Sequence, residues 1–142
     1  MKQEFFTYLR NIEMSETLIT RIESIWLFYE QLCLEEINDI FVTEYTKPDG
    51  SREYQNLWFF SNRYLMEAKN FVTIDNFDMG SSAKRIVRWE IQKNNYDFNT
   101  VNPNSQMSLM VNYGDFTCAF KASRNNCPYL QAIFKKYFQA NV

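Results

Sequence analysis

The sequence predicts an α+β protein: a curved antiparallel sheet, or partly open barrel, of about seven strands with a closing C-terminal helix, preceded by N-terminal helices. Three stretches carry that expectation. Residues 15–33 repeat apolar side chains at helical spacing, residues 49–69 read as two tight turns around an aromatic strand, and the residues after Pro128 form another amphipathic helix. The expected organisation is an N-terminal helical segment over residues 1–36 and one compact unit over residues 37–142.

Residues 2–14 read as a short helix, and Ser15 is a candidate N-cap for a longer one ending near Cys33. In that second helix Leu18, Ile22, Ile25, Tyr29 and Leu32 recur on one face, flanked by Ile19, Trp26 and Cys33. Phe28 falls close to the polar flank and cannot share the same stripe. It is therefore expected, with Tyr8 and Leu9, to contribute to a partner or self-association surface, a homodimer included; the other reading is that the short first helix folds over it.

From Ile37 the apolar period shortens to that of a strand. Ile40 and Val42 alternate with Phe41, Thr43 and Tyr45, and Pro48-Asp49-Gly50 turns the chain. Residues 52–60 and 63–70 form the second hairpin about Ser61-Asn62, a register that puts Glu67 opposite Asn56. Residues 71–83 read as loop, with Asp75, Asn76, Asp78, Gly80, Ser81 and Ser82 in succession. A strand from Lys84 to Lys93 follows, with Val87, Trp89 and Ile91 on one face. A short strand near Tyr96–Phe98 precedes a polar loop through Asn102-Pro103-Asn104. Met107, Leu109 and Val111 alternate next, and after Tyr113-Gly114-Asp115 the last strand turns Phe116, Cys118, Phe120 and Ala122 inward. Pro128 suits the first turn of the closing helix, capped by Asn126 or Cys127, with Leu130, Ile133, Phe134, Tyr137 and Phe138 as its buried stripe. Phe116, Cys118, Phe120, Trp89 and Phe134 are the side chains expected to be nearly inaccessible.

Composition narrows the function. The chain has 142 residues, 46% of them hydrophobic, which suffices for a core without disulfides or metal. A net charge of −2 speaks against a nucleic-acid surface, because phosphate neutralisation needs clustered cations. No apolar run approaches the roughly 20 residues of a membrane span. The first residues lack the pattern of a signal peptide, so the cytoplasm is the expected location. Cys33, Cys118 and Cys127 are odd in number and contain no CxxC pair, which fits reduced thiols. Cys118 reads as a core residue and Cys127 as an ordinary helix-start residue.

Histidine is absent altogether. That removes the commonest general base, the usual partner of a Ser or Cys nucleophile, and the main transition-metal ligand. No cofactor and no metal are expected. Pro48-Asp49 followed by Glu67-Ala68-Lys69 matches the metal-site pattern of PD-(D/E)xK nucleases. The expected register, however, separates Asp49 from Glu67 by about 23 Å along the strand, and carboxylates sharing a metal must converge within a few ångström. Glu90-Ile91-Gln92-Lys93 places its acid and base on opposite faces. The remaining acids (Glu35, Glu36, Asp39, Asp75 and Asp78) show no spacing that favours an acid–base pair, and the basic residues Lys121, Arg124, Lys135 and Lys136 suit the end of a helix dipole.

The order of elements over Ile37–Val142 resembles the pleckstrin-homology-like superfold. Leu57-Trp58-Phe59-Phe60-Ser61-Asn62-Arg63-Tyr64-Leu65-Met66-Glu67-Ala68-Lys69 looks like that fold's second hairpin. The closing helix lacks the tryptophan usual there, with Phe134, Tyr137 and Phe138 as its substitutes. The resemblance implies a binding platform for phosphoinositides, peptides or proteins. Lys47 and Arg52 fill two positions of the lipid-binding pattern, but the third falls on Gly50, and Glu44, Asp49 and Glu53 surround them. Two cations among three acids make a poor phosphate pocket, so phosphoinositide binding is disfavoured. The reading is a non-catalytic module that binds a protein partner. The alternatives are a metal-dependent PD-(D/E)xK-like nuclease and a small acidic inhibitor of the immunity-protein kind.

Overall fold

A computed structural model describes residues 1–74, 76–81, 86–97 and 100–139. The elements are α1 (Gln3–Asn11), α2 (Glu16–Cys33), β1 (Asp39–Thr46), β2 (Arg52–Phe60), β3 (Tyr64–Lys69), β4 (Asn76–Ser81), β5 (Arg88–Asn94), β6 (Gln106–Asn112), β7 (Thr117–Ser123) and α3 (Cys127–Ile133). The last runs on into a π-helical turn, Phe134–Phe138. The chain is α+β with antiparallel sheets. It divides into two compact units, Met1–Val42 with Gln55–Ser82, and Thr43–Tyr54 with Ala83–Val142.

The expected single curved sheet is corrected to two. Strands β1-β2-β3-β4 are neighbours in one sheet and β5-β6-β7 in another. The fourth strand of the first sheet, β4, occupies a stretch read as loop. Asn76, Asp78, Gly80 and Ser81 are poor strand formers, but the stretch pairs along its whole length with β3, from Lys69↔Asn76 to Tyr64↔Ser81. Tertiary pairing overrides propensity there.

In the first unit, Ser15 caps α2 as expected, its hydroxyl accepting from the Leu18 N–H at 3.3 Å. Ile19, Ile22, Ile25, Tyr29 and Cys33 are buried, and Tyr29 meets Phe59 edge-on with centroids 5.1 Å apart. Leu18 is half-buried and Leu32 exposed, so the buried arc is narrower than the sequence suggested. Phe5, Tyr8 and Leu9 of α1 join this core, and the Tyr8 hydroxyl accepts from the Val42 N–H at 2.9 Å. The β2–β3 turn is longer than two residues. Ser61 N–H donates to the Tyr64 carbonyl at 3.0 Å, so Phe60 pairs with Leu65 and Glu67 with Trp58 rather than with Asn56. The shift is two residues, which keeps every side chain on its expected face.

In the second unit, β6 pairs with β5 (Ile91↔Leu109) and with β7 (Leu109↔Phe120). Leu109, Val111, Cys118 and Phe120 are buried, and so are Leu130, Ile133, Phe134 and Phe138 from the closing helix. Each such side chain is worth about 1.5–3 kcal/mol when fully buried, so the helix is integral to this core. Phe116 and Trp89 are half-buried, where near-inaccessibility was expected. Phe116 stacks on Tyr113 beside the turn, and Trp89 meets Phe134 at 4.9 Å. Ile91 is exposed on β5, a strand at the end of its sheet, and Val87 is exposed just before that strand begins. Near the expected strand at Tyr96–Phe98 the described residues form an isolated bridge, Asp97↔Thr100. Asp75, Ser82, Lys84 and Phe98, which the sequence reading also placed, lie outside the described residues.

Candidate functional sites

A buried polar cluster is the most unusual feature of the second unit. The side chain of Glu44 is 0% exposed and accepts three hydrogen bonds: from the Ser123 N–H at 2.6 Å, the Ser123 hydroxyl at 2.6 Å and Asn126 Nδ2 at 3.2 Å. Arg52 Nε lies 3.8 Å from Glu44 Oε2, while Nη2 donates to the Ser123 carbonyl and to Asn125 Oδ1. Among the described residues Arg52 Nε and Nη1 have no hydrogen-bond partner. Asn126, expected as a helix cap, makes no cap bond and serves Glu44 instead.

This corrects the lipid-pattern reading of Arg52. A guanidinium buried against a carboxylate cannot also offer its charge to a phosphate at the surface. Lys47 is half-buried at the turn, where its N–H donates to the Ser51 carbonyl at 2.7 Å. Alternation did carry a signal for the cluster: Ile40 and Val42 share their strand parity with Glu44, which marks an acid at an inward position.

Beside the cluster lies a groove of about 280 Å³, with Glu44 and Ser123 in its lining and Gln92, Lys93, Ser108 and Lys121 from the three-stranded sheet. Its acid is bonded through both oxygens, and Lys93 Nζ donates to the Tyr96 carbonyl at 3.1 Å. The Cys127 thiol is pushed up to about 12 by burial and by Glu44, with Arg52 opposing, so it stays protonated and inert at neutral pH. Nothing in this arrangement activates a nucleophile.

The nuclease pattern resolves into separate local roles. Asp49 accepts from the Ser51 N–H at 2.9 Å and the Ser51 hydroxyl at 2.6 Å within its turn. Glu67 pairs in register with Asp78, which is held by Lys69 Nζ at 2.7 Å. Burial raises the Glu67 carboxyl above the ordinary range, Lys69 opposing and Asp78 adding to the rise. Among the described residues no group of three or more acids or thiols is placed to hold a metal ion.

The first unit carries a site of opposite character, at the C-terminal end of α2. Leu27, Phe28, Leu32 and Leu34 are 49%, 54%, 49% and 87% exposed. Phe28 is thus at the surface, as the sequence indicated. Tyr8 and Leu9 are not, since both are core residues, and that part of the expected surface is corrected. Leu27, Leu32 and Leu34 were missed. Leu34 is the C-cap, in the left-handed region at φ 52°, where Gly or Asn is favoured and a leucine is strained. Nearby Glu35 accepts from the Arg63 N–H at 2.8 Å and from Arg63 Nε at 2.7 Å. The Ser61 hydroxyl together with these two bonds holds its carboxyl down at about 2.

No described helix is long and apolar enough to cross a membrane. No protein-family model, curated protein or solved structure matches the chain.

Proposed function

We propose that the protein is a non-catalytic interaction module, acting by contact with another protein through the C-terminal end of α2. The observation that carries this reading is the group Leu27, Phe28, Leu32 and Leu34, four large apolar side chains exposed within one stretch of chain at the C-terminal end of α2. Single exposed leucines are ordinary on protein surfaces, whereas several large apolar side chains exposed within eight residues make a surface of the kind contact sites use. A strained, solvated leucine at a cap costs stability twice, in backbone and in hydration, and a contact function accounts for keeping it.

The fold belongs to the same proposal. Two antiparallel sheets, each with its strands in chain order, followed by one helix after the last strand, support a PH-like platform. The cytoplasm is the proposed compartment, in keeping with three buried thiols that form no disulfide.

Capture from an extract of the source organism tests the reading, with immobilised wild type and Phe28→Ser compared. The expected result is a partner retained by the wild type and lost from the variant, with thermal stability unchanged. Identical captures by the two proteins would remove the basis for the proposal.

A further inference from the structure

We infer that the groove on the three-stranded sheet binds an acidic sugar of the uronic-acid kind, its hydroxyls on amide side chains and its carboxylate on Lys121. The site belongs to the second unit and is independent of the contact surface on α2. Strand register builds its floor. Gln92↔Ser108 and Ser108↔Lys121 align one row of side chains across β5, β6 and β7, and Asn94↔Gln106 with Gln106↔Ser123 aligns a second. Directly paired residues share a face, and so do residues two apart on one strand, so both rows rise from the same side of the sheet. All six residues line the groove of about 280 Å³. The rows lie about 7 Å apart and each spans about 10 Å, dimensions that suit a single sugar ring with its substituents.

The lining narrows the occupant. Ser123 is satisfied within the chain, its hydroxyl donating to Glu44 and accepting from Thr46. The side chains of Gln92, Asn94, Gln106, Ser108 and Lys121 have no hydrogen-bond or ion-pair partner among the described residues. Amides and hydroxyls both donate and accept, as sugar hydroxyls do, whereas an apolar ligand would displace their water and return no bond. Tyr45 is 39% exposed at the wall, and its hydroxyl donates to Glu53, which anchors an aromatic ring where the C–H surface of a sugar can pack.

Charge selects the acid. Glu44 is the lining carboxylate and is paired with Arg52, while Lys93 is turned to the Tyr96 carbonyl at 3.1 Å. Glu53, held by Tyr45, is not part of the lining. The Lys121 ammonium is left to meet a ligand anion, in a groove that carries excess positive charge. Further along the same face the charges answer each other, since Arg88 pairs with Glu90.

Glucuronate titrated into isotope-labelled protein and followed by NMR is the test, with glucose and acetate as controls. The side-chain amide signals of Gln92, Asn94 and Gln106 should shift together and saturate with glucuronate. Glucose should bind about tenfold more weakly, and acetate should leave these signals in place. Lys121→Met should lower the affinity for glucuronate to that for glucose, and Gln92→Ala/Gln106→Ala should weaken both sugars by about tenfold. All three positions are exposed, so the variants should melt with the wild type. The absence of a saturable shift with glucuronate overturns the inference, as does equal affinity for glucose or for acetate. A Lys121→Met protein that binds glucuronate as the wild type does overturns it too.

Discussion

The buried end of β1 and the exposed end of α2 break the same rule in opposite directions. At Glu44 the chain buries a charge and surrounds it with donors from Ser123, Asn126 and Arg52. At Leu34 it leaves an apolar side chain 87% exposed on a backbone conformation that suits glycine. The buried acid is satisfied by its own chain. The exposed leucine is covered by no described residue. That difference separates a structural polar group, however unusual, from the surface proposed as a contact site.

The largest expected effect breaks the first half of the comparison. Glu44→Ala leaves Arg52 buried without its countercharge, and a broken buried pair costs about 3–5 kcal/mol. Urea unfolding should show that loss, and Glu44→Leu/Arg52→Met should recover much of it, because removing both charges leaves neither uncompensated. A neutral Glu44→Ala would contradict the pairing of Glu44 with Arg52 as a source of stability.

The second half is sharpened by smaller changes. Leu34→Gly relieves the left-handed strain and should stabilise the protein by about 1 kcal/mol in urea while weakening the contact surface. Stability and binding moving in opposite directions is the signature of a residue kept for function. Ser15→Ala, which removes a local cap with no part in either site, should cost about 1 kcal/mol by the same measurement.

A pH effect is the smallest. The Glu35 carboxyl sits at about 2 in the folded protein, below its ordinary value near 4.5. A depressed carboxyl contributes its stability above the unfolded value and loses it as pH falls through the folded one. Thermal melts between about pH 5 and pH 2 should therefore show a progressive loss that is reduced in Glu35→Gln. Parallel curves for the two proteins would place the acid sensitivity elsewhere.

What was legible in the sequence followed the reach of each signal. Periodicity and capping are local, so Ser15, the face from Ile19 to Cys33 and the stripe from Leu130 to Phe138 were readable, and so were the turns at Gly50 and Gly114, both at positive φ. The strand at Asn76–Ser81 was not, because its residues favour turns and only pairing with β3 makes them a strand. Hairpin register failed by two residues at Ser61–Tyr64 for a similar reason: the turn closes through Ser61 and Tyr64, which composition does not announce. Phe28 was found because a helical wheel separates it from the buried arc. Tyr8 and Leu9 were misassigned because the wheel of a short helix does not say what covers it. The Glu44 cluster joins residues far apart in the chain, and alternation could only have flagged the acid, never its partners.

The contact surface itself is tested most directly by a photoreactive phenylalanine analogue placed at position 28 and, for comparison, at exposed Thr117 of the three-stranded sheet. On illumination in an extract of the source organism, the account predicts one discrete crosslinked species from position 28 and none from position 117. No adduct from position 28, or the same adducts from both positions, would contradict it.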